Sequence, residues 1–189
     1  AKWLVEKSGT VMPTIEQGQG TPDFDTNLFK EGKLAMLHTG IWVFGAVADV
    51  PFEWDIAVEP GNVRQASAVF SNAVGVSANS KNIEAAGKWA EFLTSSDTMI
   101  DVRLDSGWEL PPISDEGKLA VYLEKGAPAN RQAVFDSLDG IALPPVAQKG
   151  QSEMQDIMTE ELVEAQAGRK TVEEALASAE ERINAVIGG

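Results

Sequence analysis

Cysteine is absent from this chain of 189 residues. That excludes a disulfide framework, a thiol nucleophile and a cysteine-rich metal site. Histidine occurs once, as His38, so a zinc site would need carboxylates almost alone, and no metal ligands are assigned. A lone histidine is more often a structural hydrogen-bonding residue than a catalyst, and His38 is read that way. Basic residues are scarce: 15 Lys and Arg face 29 Asp and Glu, for a formal net charge of −14. Such a balance argues against nucleic acid, whose phosphates need a basic face, and against docking on anionic lipid. No apolar run reaches the length of a membrane span. There is no GxSxG, P-loop or GxGxxG motif, and no cofactor is expected.

What remains is a globular composition, 43% hydrophobic and 23% charged. It suits an acidic protein that binds a neutral or cationic small molecule. Ala1 to Gly9 reads as the last turns of a helix capped by Gly9. With no start Met, signal peptide or leading strand, the chain is expected to begin inside a larger protein.

The organising stretch is Phe29 to Trp42. Phe29 to Lys33 reads as the end of a short helix from Phe24, with Gly32 in the left-handed cap conformation. Leu34-Ala35-Met36-Leu37 has the length of a buried strand. His38-Thr39-Gly40 breaks that run and presents Trp42. Val11 to Thr26 is otherwise a Gly-, Pro- and Asp-rich loop. A helix is expected over Val43 to Asp49, a strand over Phe52 to Val58, and a bent strand pair over Ala66 to Ala78 with its bend at Ser71-Asn72.

Helical spacing predicts a helix from Ile83 through Leu93, another from Ser96 or Asp97 to about Leu104, and two more over Glu116–Leu123 and Ala129–Leu138. Gly107 to Pro112 is a rigid extended loop, since its two prolines forbid helix. Met154, Ile157, Met158, Leu162 and Ala165 form one apolar stripe, stopped by Gly168. Thr171 and Glu174 form a capping box that opens a last helix.

The aromatics carry the functional signal. Trp3 and Trp89 sit on helical stripes and are read as core. Trp42 and Trp108 each lie near a glycine at the end of an element. Each either covers a helix end or offers a flat face to a sugar ring or a cation. Glu109, between Trp108 and Leu-Pro-Pro, is the carboxylate best placed for a role. A glycosidase would pair it with an Asp across a cleft.

Four blocks resemble a known family. Phe29-Lys30-Glu31-Gly32-Lys33-Leu34-Ala35-Met36 with Gly40-Ile41-Trp42 is similar to its F-x-x-G-x-x-A-M…G-x-W block. Val74 to Lys81, followed by Ala85-Ala86 to Phe92-Leu93, resembles its strand and helix. Gly107-Trp108-Glu109-Leu110-Pro111 is similar to a cleft loop, and Gly168 to Leu176 to the closing helix start. Together they resemble the C-terminal half of a bacterial extracellular solute-binding protein of ABC importers, in the sugar-binding family that includes maltose-binding proteins.

The resemblance implies an α/β, helix-rich, two-lobe periplasmic-binding-protein-like fold that closes on its ligand by hinge motion. Here it would be truncated to most of the C-terminal lobe and a segment of the N-terminal lobe. Residues 1–64 would lie in the C-terminal lobe, 65–112 would cross to the N-terminal lobe, and 113–189 would return as C-terminal-lobe helices.

Non-catalytic binding of a sugar or oligosaccharide outside the cytoplasm is implied, with delivery to a membrane permease. Trp42 matches the position that stacks on the sugar. Ser71 and Asn72 replace a Gly-Gly turn and add hydrogen-bonding groups. Trp108 and Glu109 lie near the cleft, and Gln155 stands where some members place another aromatic. The alternatives are a carbohydrate hydrolase using Glu109, a carrier of a cationic or peptide solute, and an interaction module built on the C-terminal helices. A segment-swapped homodimer is one way for such a fragment to cover its apolar surface.

Overall fold

A computed structural model describes the chain apart from Asn62, Trp108, Pro144, Pro145, Gln148 and Gly189. In chain order the elements are α1 (Lys2–Lys7), α2 (Ile15–Gly18), α3 (Phe24–Lys30), a 3-10 turn (Ile41–Val43), β1 (Ser67–Ala68), α4 (Ile83–Ser95), α5 (Asp97–Ser106), α6 (Glu116–Leu123), α7 (Gln132–Asp136), a second 3-10 turn (Ser137–Gly140), β2 (Ile141–Ala142), α8 (Gln151–Gln166) and α9 (Val172–Ile187). They form two compact units, Ala1–Leu37 with Pro145–Gly189, and His38–Pro144.

The first unit is built on the pair α8 and α9. Gly168 takes φ +70°, and the Arg169 N–H closes back on the Glu164 carbonyl at 2.9 Å. That is the left-handed stop expected of glycine at a helix end. Thr171 then opens α9. Its hydroxyl accepts from the Glu174 N–H at 3.1 Å while the Glu174 carboxylate accepts from the Thr171 N–H at 2.8 Å. Ile157 and Ala165 of α8, with Ala175 and Ala179 of α9, are buried. Small residues at such a contact let helix axes approach closely. Gly150 precedes α8 with φ +69°, and a Cβ there would run into the Val186 side chain. Gln166 holds the start of α2 by accepting from the Ile15 N–H at 3.2 Å.

Within the second unit, Ser96 caps α5 by accepting from the Met99 N–H at 3.2 Å, and Asp115 caps α6 through the Lys118 N–H at 3.0 Å. Ile100, Leu104 and Tyr122 are buried together, with Leu110, Ile113, Val134 and Phe135 packed around them. Arg131, 5% exposed, donates to the carbonyls of Gly107 at 3.0 Å, Gly126 at 3.2 Å and Ala127 at 2.8 Å. Its guanidinium also lies over the Tyr122 ring, 4.7 Å from the centroid. Burial pushes the Tyr122 phenol up from its ordinary value.

Strands are where the structure departs most from the sequence. Among the described residues the sheet is a single parallel pair, Ser67 opposite Ile141 and Ala68 opposite Ala142. Leu34 to Leu37 is not a buried strand: Leu34 and Leu37 are half-buried and Met36 is 87% exposed. From Phe52 to Val58 the burial alternates with period two, Phe52, Trp54, Ile56 and Val58 being the more covered. Yet no ladder forms there. An apolar, alternating segment becomes a strand only against a partner.

The bent pair expected over Ala66 to Ala78 reduces to β1, whose partner comes from beyond residue 140. The helix expected over Val43 to Asp49 is the 3-10 turn followed by further turns, with Phe44 and Val47 buried. The one expected over Ala129 to Leu138 is split between α7 and a 3-10 turn. Helix α2, with its Thr14–Gln17 capping box, arises inside the stretch read as loop. Trp3 and Trp89, expected in the core, are 61% and 59% exposed.

Candidate functional site

The second unit gathers Trp42, Ser71, Asn72 and Glu109. Trp42 sits on the 3-10 turn after Gly40, half-exposed, with its ring folded back over the glycine. A Cβ on Gly40 would overlap the six-membered ring. The φ of Gly40 is −113°, which any residue adopts. Space, not backbone conformation, is therefore what requires glycine. The Trp42 ring meets Phe70 edge to face, with centroids 5.6 Å apart and planes at 86°, a favoured aromatic arrangement. Both rings are more than half exposed, so the corner they form has an open apolar face.

Gly40→Ala tests this packing. The methyl should evict the Trp42 ring from its position and, on the expectation that this ring stacks on a ligand, weaken binding nearly as much as removal of the ring. Thermal stability should change little, because Trp42 is on the surface. Calorimetric titration and a melting curve on the same variant check both halves.

Phe70 leads directly into Ser71 and Asn72, both exposed. The Asn72 amide Nδ2 donates to Glu109 Oε2 at 3.2 Å. Glu109 Oε1 accepts from Arg103 at 2.5 Å. Arg103 is in the last turn of α5, and the left-handed Gly107, φ +68°, returns the chain so that Glu109 meets it. The other Arg103 nitrogen donates to the Leu93 carbonyl of α4 at 3.4 Å. The Glu109 side chain is only 15% exposed. Its partners are a guanidinium and an amide, not a second carboxyl, which is an arrangement for holding a group in place and not for glycosidic acid–base chemistry.

Three other expectations fall differently. Gln155 belongs to the first unit and is exposed on α8, where its main-chain carbonyl accepts from Thr159 at 3.0 Å. Trp108 lies outside the described residues. His38 is on the surface, its Nε2 3.1 Å from Glu59 Oε2. Sequence reasoning missed Phe70 as the ring partner of Trp42 and Arg103 as the partner of Glu109. The second had a legible signal: a basic residue in the last helical turn, a glycine cap, then an acid. Among the described residues, no cluster of His, Asp and Glu could hold a metal ion, and no helix is long and apolar enough to cross a membrane.

Comparison with known proteins adds an independent line. The profile of a family described as "Bacterial extracellular solute-binding protein" matches residues 1–122. Among solved structures, an ABC substrate-binding protein from Listeria monocytogenes in complex with cycloalternan matches with 38% identity and a TM-score of 0.90. The match covers 98% of this chain and 47% of that one, so the chain spans about half the length of the protein it matches. The helix-rich architecture described above is thus that of a substrate-binding protein over that half. No curated protein gave a significant match.

Proposed function

This chain belongs to the bacterial extracellular solute-binding protein family, and on that premise we propose that its protein is the solute-binding component of an ABC importer for a sugar or oligosaccharide. It acts outside the cytoplasm, binds without catalysis and hands its ligand to a membrane permease. One observation carries the sugar reading: an open Trp42–Phe70 corner adjoins the exposed Ser71-Asn72 segment, which shows no turn at the expected bend, and its Glu109 support. A flat apolar face beside fixed polar groups is what a sugar ring needs, with its C–H face on the aromatic and its hydroxyls on the fringe. The cycloalternan complex of the Listeria protein agrees in chemical class. Trp108, which follows Gly107 in the sequence, is assigned to the same ligand as a further contact.

Thermal shift on the full-length protein tests the proposal, because a ligand of the folded state raises the melting temperature. Cycloalternan and linear oligosaccharides should raise it, while polyamines and basic peptides should not. A rise with polyamines or peptides alone would overturn the sugar assignment. Turnover of a chromogenic glycoside would overturn the non-catalytic one.

A further inference from the structure

We propose that Arg103 and Glu109 are positioning residues that orient the side-chain amide of Asn72, and that the ligand group meeting Asn72 is therefore an uncharged hydrogen-bond donor, a hydroxyl. The proposal rests on the carbohydrate reading above and deepens it.

The chemistry of the three groups sets the direction. A carboxylate offers acceptors only, so the Asn72 atom facing Glu109 must be the NH2. With Nδ2 donating to Glu109 Oε2, Oδ1 is turned the other way, on a residue that is itself exposed. The fringe beside the Trp42–Phe70 corner thus presents an acceptor. Glu109 is a poor direct contact. One oxygen is engaged by Arg103 and the other by Asn72, and its side chain is largely covered.

Arg103 has two consequences. It offsets the charge of Glu109, which removes the local field that a cationic ligand would need. It also ties the carboxylate to α5 and, through the Leu93 carbonyl, to α4. The segment that carries Asn72 has no regular structure and is exposed, whereas Arg103 lies on α5 and holds Glu109 in the bend that follows that helix. Orientation is therefore transmitted from the helices to the segment that carries Asn72. A ligand amine in the same place would meet an acceptor without a net negative charge, a weaker partner than a free carboxylate.

Two measurements on the full-length protein test this. The first needs no ligand. In the wild type, the two side-chain amide protons of Asn72 should give NMR signals well apart and slow to exchange with water. In Glu109→Gln, whose own amide can face Asn72 either way, they should move toward free-amide positions. Unchanged signals would overturn the relay.

The second is a double-mutant cycle with cycloalternan as the probe, read by calorimetry. Asn72→Ala should weaken binding about tenfold, the size of one hydrogen bond in a binding site. Glu109→Gln should weaken it somewhat less. The double variant should bind like Asn72→Ala alone, within about twofold. A full additional loss would show that Glu109 touches the sugar itself and would overturn its positioning role. Should Glu109→Gln fail to fold, Arg103→Lys, which keeps the charge but loses the fork geometry, is expected to loosen the Asn72 amide in the same way. If the amide signals behave as expected while no oligosaccharide binds, the relay stands and the carbohydrate assignment falls.

Discussion

Trp42→Ala is expected to weaken oligosaccharide binding by the full-length protein roughly thirtyfold, equivalent to about 2 kcal/mol, while leaving the melting temperature nearly unchanged. The two halves of that expectation have different origins. The affinity loss comes from the apolar face that a sugar would cover, an area of indole that stays in water until the ligand arrives. The stability result comes from exposure: at 51% exposed, the residue keeps about half its surface in water in the unliganded fold, where its ring lies over Gly40 and against Phe70.

Trp42→Phe should recover part of the affinity, because a smaller ring keeps a stacking face but shortens the contact with Phe70. Isothermal titration across the wild type, Phe and Ala variants gives an ordered series if stacking is the cause. Equal affinities in all three would remove Trp42 from the site. A fall in melting temperature that tracks the fall in affinity would make its role structural instead.

What could be read from the sequence follows from how far each feature reaches along the chain. Helix signals are local. The Thr171–Glu174 capping box spans three residues, and Gly32, Gly107 and Gly168 all take positive φ where a helix had to stop. Accordingly α4, α5, α6, α8 and α9 were legible, α6 to the residue. Strand signals are half of a pair. The Leu34 to Leu37 run and the alternation from Phe52 to Val58 were real sequence patterns, and the second is visible in the burial. Neither could name its partner, and β1 found one more than seventy residues away.

The site divides the same way. Trp42 was legible because Gly40 precedes it by two residues. The link from Asn72 to Glu109 joins positions 37 residues apart in sequence and had no local trace. The buried Arg131 was not foreseen at all. Its three carbonyl partners come from turns and a helix end whose geometry only the fold defines.

The largest stability effect is expected at Glu161, a buried carboxylate in the first unit that the apolar stripe of α8 gave no reason to expect. Its side chain is 4% exposed. Lys170 donates to one oxygen at 2.5 Å, and Ser178 and Arg182 donate to the other at 2.7 and 2.9 Å. Lys170 closes the α8–α9 turn, while Ser178 and Arg182 lie on α9, so the carboxylate clamps the two helices that build this unit. The three donors, Lys170 first, hold it at about 2 against an ordinary 4.5.

Between those two values the unfolded chain carries the proton and the folded chain does not. The stabilisation is therefore complete above about pH 4.5 and is lost as the pH falls through about 2. Glu161→Gln should cost about 2–3 kcal/mol at neutral pH, below the roughly 3–5 kcal/mol for breaking a fully buried ion pair, because Lys170 and Arg182 are partly exposed and Arg182 retains Glu160 at 2.6 Å. Glu160→Gln, at an exposed carboxylate, should cost no more than about 0.5 kcal/mol. Urea unfolding suits the measurement, since an uncharged denaturant does not screen the pairs. The difference between wild type and Glu161→Gln should shrink steadily as the pH is lowered from 5 toward 2. A difference that stays constant across that range would mean that the clamp works through packing and not through its charge.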